Sequence, residues 1–135
     1  MAPLPGARTA TPAEFMAGFA RLQLAPGVEP PAPPDGPPPP WLAKRPAGLR
    51  AFIDAFENGD LDVTALRAFD RPVYFALGGR SNSDYFGRMA DRLAAIFPDF
   101  TLEIFSERHH FDPPHRVEPK RLAHSLLALW QRGES

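Results

Sequence analysis

The sequence predicts an α/β protein, with a β-α-β-α carboxyl-terminal part preceded by a helical, proline-rich part. Residues 72–77, PVYFAL, form a continuous apolar run rich in β-formers and closed by Gly78-Gly79. Residues 100–105, FTLEIF, form a second strand-like run. Between them Tyr85, Phe86, Met89, Leu93, Ile96 and Phe97 recur at helical spacing. A run that is apolar throughout suits a strand covered on both faces, and strand–helix–strand is the unit of a parallel sheet, expected to cross over with a right hand.

The elements follow in order. Thr11-Pro12-Ala13-Glu14 reads as a helix start, with Thr11 as cap and Glu14 completing a capping box. Phe15, Phe19 and Leu22 then share one helical face until Pro26 ends the pattern. Half of the 18 prolines fall between 26 and 40, in PGVEPPAPPDGPPPP. That segment cannot sustain regular backbone hydrogen bonding and favours extended geometry. It reads as a strap, with Trp41 pinning its end. The composition also suits a ligand for an aromatic groove.

Pro46 opens a second helix. Its face is Leu49, Phe52, Ile53 and Phe56, and Asn58-Gly59 stops it. Val63, Leu66 and Phe69 suggest one more short helix. After the first strand, Ser83 or Asp84 caps the crossover helix, which Pro98-Asp99 breaks. Glu118-Pro119 starts the last helix, whose apolar face is Leu122, Leu126, Leu129 and Trp130, with Trp130 expected in the core. The expected organisation is therefore a helical, cap-like segment over residues 1–70, with the strap at 26–40, and an α/β segment over 71–135.

Composition narrows the function. Formal net charge is −1, so the basic excess that accompanies nucleic-acid binding is missing. There is no cysteine, which removes disulfides, thiolate zinc sites and cysteine nucleophiles together. No stretch reaches the ~18 apolar residues of a membrane span, and the first residues carry no apolar run of signal-peptide length. The expectation is a cytoplasmic chain with no nucleic-acid or membrane partner. Two strands alone leave edges and faces uncovered, which calls for more sheet, a partner or a second copy.

Residues 109–116, HHFDPPHR, hold three of the four histidines. His109, His110, His115 and Asp112 could form a metal set, but adjacent histidines point apart and the Pro113-Pro114 path is stiff. Their spacing matches no common zinc pattern. Gly79-Arg80-Ser81-Asn82-Ser83 is one residue short of a G-x-S-x-G elbow, which makes Ser81 a rival nucleophile. His115 and His124 read as a loop residue and a helix-face residue.

PVYFALGGRS, FTLEIFSERHH and VEPKRLAHSLLALW together resemble the penultimate strand, the last strand with its histidine loop, and the closing helix of the α/β-hydrolase family. The resemblance covers roughly residues 65–132 and makes the first half a cap. It implies a serine-hydrolase mechanism on an ester or small acyl substrate, with no cofactor and no metal. It places the general base at His110, with His109 as the alternative. Two features depart from the family. Ser81 and Asn82 stand where an acid is usual, with Asp84 the nearest carboxylate, and no G-x-S-x-G is present. The resemblance therefore implies a truncated hydrolase, inactive alone, whose nucleophile is absent from this chain. The alternative is a non-catalytic βαβ-containing protein that self-associates or binds a partner over its strand edges.

Overall fold

The computed structural model describes residues 11–32, 35–37 and 39–134. The chain divides into two compact units. One holds the described residues up to Leu22 together with Pro30–Leu61, and the other holds Gln23–Glu29 with Asp62–Ser135.

The first unit is helical. Helix α1, Pro12–Leu22, begins with a reciprocal capping box. The Thr11 backbone N–H donates to Glu14 Oε2 at 2.8 Å, and the Glu14 N–H donates to Thr11 Oγ1 at 3.3 Å. Phe15 is buried, with the Arg50 guanidinium 4.6 Å from its ring centre. A 3₁₀ turn, Pro40–Lys44, leads into α2, Arg45–Asn58. The face expected to pack is only half covered. Leu49 and Ile53 are half-buried, whereas Phe52 and Phe56 are exposed and touch each other with ring centres 4.5 Å apart and planes tilted by 43°. Trp41 is exposed beside Arg45.

The second unit contains the sheet. Asp62 caps the short helix α3, Val63–Arg67, by accepting the Ala65 N–H at 3.0 Å. Strand β1, Val73–Gly78, pairs in parallel with β2, Phe100–Phe105, from Val73 opposite Phe100 to Gly78 opposite Phe105. The crossover helix α4 spans Arg88–Ile96 and is entered through one π-helical turn, Ser83–Gly87. The cap is Asn82 rather than Ser83 or Asp84: its side chain accepts the Tyr85 N–H. In a run of three residues that can all cap, the one outside the first turn wins. A short helix α5, Pro114–Val117, precedes α6, Pro119–Gly133, where a plain loop was expected.

Helix α6 lies on the sheet face that carries Tyr74, Thr101, Glu103 and Phe105. Ser125 and Arg121 both bond Glu103, Arg132 bonds Thr101, and Arg121 stands 4.1 Å over the fully buried Phe105 ring. Trp130 is 69 % exposed and is not a core residue, because its position at the end of the face carries it past the covered side. The other sheet face carries Val73, Phe75 and Leu77 opposite Phe100, Leu102 and Ile104. There Leu102 and Ile104 keep 40 % and 48 % of their surface exposed. No described helix is long and apolar enough to cross a membrane.

Candidate functional site at the histidine loop

The carboxyl ends of parallel strands are where ligands and reactive groups gather in α/β folds. Here β2 ends at Phe105 and releases the histidine loop, which returns across the end of β1. The Arg108 N–H donates to Phe105 O at 2.9 Å, and the Arg80 N–H donates to Arg108 O at 2.9 Å. Gly78 and Gly79 make the crossing possible. A Cβ on Gly78 would stand 2.6 Å from Arg108 O, and one on Gly79 would stand 2.8 Å from the Ser106 Cα. In the sequence these glycines read as the end of a strand, and Gly79 also as the start of a near elbow. They are also the bed on which the loop lies.

The two adjacent histidines differ. The Asp112 carboxylate accepts the His109 backbone N–H at 2.5 Å and lies 3.1 Å from His109 Nδ1. The Phe111 N–H donates to that same Nδ1 at 3.1 Å. His109 Nδ1 is thus shared between the Asp112 carboxylate and the Phe111 N–H, which ties the ring into the turn. His110 makes no side-chain hydrogen bond among the described residues. Its ring stacks on Phe86 at 5.4 Å with planes 16° apart, and meets Phe111 edge-on at 5.3 Å. Burial against these rings, with His109 alongside, pushes the His110 pKa below its ordinary 6.5. The residue nevertheless stays exposed at the strand end, and its ring nitrogens bond no side chain or backbone group among the described residues.

A row of alternating charges ties this loop to the sheet. Arg108 Nε donates to Glu118 Oε1 at 2.7 Å, and its Nη1 lies 3.6 Å from Asp112 Oδ2. Arg121 reaches Glu118 Oε2 at 3.4 Å, Ile104 O at 2.9 Å and Glu103 Oε1 at 2.7 Å. Tyr74 and Ser125 each donate to Glu103 Oε2 at 2.5 Å. Burial pushes the Glu103 carboxyl up, but the bonds from Ser125, Tyr74 and Arg121 outweigh it and leave the pKa below 4.5. Burial and the bond to Glu103 push the Tyr74 phenol up to about 12.

The rival residues lie elsewhere. Ser81 is buried, bridging to Leu24 while its N–H donates to Gly78 O. Asp84 is exposed on the π turn. His115 is exposed in α5 and His124 on α6. Among the described residues no three histidine, aspartate or glutamate side chains converge to hold a metal. Arg108, Asp112, Glu118 and Phe86 have no motif of their own. Asp112, Glu118 and Phe86 show in the sequence only as a possible metal ligand, a helix start and a helix-face residue, and Arg108 does not show at all.

No protein family, no curated protein and no solved structure matches this chain.

Proposed function

We propose that this chain is the histidine-bearing end of an α/β-hydrolase-like fold, in which His110 is the acid–base group for an ester or other small acyl substrate. The observation behind this reading is the placement of His110: past a parallel strand, exposed, and held among the described residues by the Phe86 and Phe111 rings. In the proposed step a serine hydroxyl attacks the acyl carbon while His110 takes its proton. The tetrahedral adduct then collapses, and His110 returns the proton to the departing alkoxide. Water repeats the sequence on the acyl-enzyme. Neither the serine nor the oxyanion donors can be assigned to these residues, because no G-x-S-x-G is present and Ser81 is buried. They would come from polypeptide outside these 135 residues.

The test has two parts. Histidine ring NMR, with His110 assigned through His110→Ala, should give a pKa below 6.5 and a neutral ring at pH 7. A pKa above 6.5 would remove the base. The chain alone should release no nitrophenol from short nitrophenyl esters and take no fluorophosphonate label. Labelling of Ser81 that disappears in His110→Ala would sink the borrowed serine and make the chain self-sufficient.

A second reading, a non-catalytic protein that assembles with copies of itself, is favoured by Leu102 and Ile104. Both are exposed on the same face of a strand that pairs on one side only.

A further inference from the structure

We propose that Arg108 is a positioning residue: through Glu118 and Asp112 it holds the histidine loop so that His110 lies against Phe86. This rests on the reading of His110 as the acid–base imidazole.

Arg108 is fixed at both ends. Its backbone is clasped between Phe105 O and the Arg80 N–H, at the crossing that Gly78 and Gly79 permit. Its side chain spans two carboxylates that face it from different parts of the chain. Asp112, inside the loop, closes the turn by accepting the His109 N–H. Glu118 is the residue on which α6 begins and is also bonded by Arg121. The guanidinium thus couples the loop's own turn to a helix already seated on the sheet. The Arg108, Asp112 and Glu118 side chains are 29 %, 28 % and 27 % exposed. Pairs that far out of water are less screened than surface pairs. Without the guanidinium, Asp112 and Glu118 keep their charge with one cation fewer between them, and the loop has no remaining side-chain tie to α6 among the described residues. Among the described residues His110 has no side-chain hydrogen bond of its own to resist the drift. Its ring position depends on the loop that carries it.

A merely stabilising ion pair would behave differently, and the molecule supplies the comparison. Arg132 pairs with Asp99 at 3.2 Å near the opposite end of β2, with no link to the histidine loop. The readout is the upfield displacement that the Phe86 ring imposes on the His110 ring protons, defined by comparison with Phe86→Leu. Arg108→Met and Glu118→Gln should each lose most of that displacement. Arg108→Lys, which keeps the charge but not the fork, should keep part of it. Arg132→Gln should keep it all. If Arg108→Met does not fold, Glu118→Gln, an isosteric change, decides alone. Retention of the displacement in Glu118→Gln overturns the proposal, as does an equal loss in Arg132→Gln. So does its absence from the unmodified chain. Ester turnover plays no part in this readout, so the positioning role and the base role fail or survive separately.

Discussion

His110 and Glu103 lose their protons in different pH ranges, yet acid weakens the fold through both. His110 titrates below 6.5 in the folded chain, because burial and His109 disfavour its charged form. The unfolded chain, near 6.5, binds that proton first. Stability therefore falls as pH drops through 6.5, and levels once pH is below the folded value. Glu103 is held below 4.5 by Ser125, Tyr74 and Arg121, against the upward push of burial. The unfolded chain again binds the proton first, so a second loss of stability begins near pH 4.5 and ends below the folded value. Urea midpoints measured across this range should decline in two steps. His110→Ala should abolish the upper step alone. Glu103→Gln should shrink the lower one, leaving the part due to Glu14, whose carboxyl the Thr11 bonds also hold below 4.5. It should cost about 1–3 kcal/mol at neutral pH, the usual price of removing a charged hydrogen-bond partner. A single unbroken decline in all three proteins would contradict both assignments.

At the scale of elements, the crossing at the end of β1 is the most sensitive point. Gly78 has an ordinary negative φ, so its requirement is space, not conformation. A methyl there would meet the Arg108 carbonyl at 2.6 Å, and that carbonyl is backbone and already accepts from Arg80. Gly78→Ala should therefore cost about 1–3 kcal/mol as overpacking does, and thermal melting should show it. The same change at Gly18, where nothing lies within 4 Å, should be neutral or slightly stabilising. The strands were legible because PVYFAL and FTLEIF have strand length and composition between clear breakers. The first helix was legible through its capping box, and the last through Glu118-Pro119. Helix α5 was not, since PHRV is a single turn lying between prolines. The π turn before α4 has no sequence signature. Phe52, Phe56 and Trp130 mark the limit of periodicity: it identifies a helical face but does not say whether anything covers it. At the site, the histidine loop could be placed past the last strand. The different surroundings of His109 and His110 could not, because they follow from contacts with Asp112, Phe111 and Phe86 that spacing does not give.

Across the whole molecule, burial is concentrated and sparse. In the first unit only Phe15 and Pro46 are buried among the described residues. In the second the buried apolar side chains are Leu24, Ala90, Phe105 and Pro114. A two-stranded parallel sheet is a weak structure by itself, because the pairing that holds parallel strands is normally buried under cover on both faces. Helix α6 supplies such cover on the Tyr74–Glu103 face. On the other face Leu102 and Ile104 remain exposed, and among the described residues each strand pairs only with the other, so an edge open there lies beside exposed apolar surface. That combination favours association, through added strands or through the face itself. Sedimentation velocity over rising concentration should show the weight-average mass growing beyond the 14.9 kDa of one chain. Ile104→Lys, which puts a charge on the exposed face and leaves the backbone pairing intact, should return the chain to a monomer. Trp130→Ala, at a more exposed residue of the helix on the opposite face of the sheet, should not. A chain that stays monomeric at every concentration would mean that this surface does not bind a second copy, and the self-associating alternative would be lost.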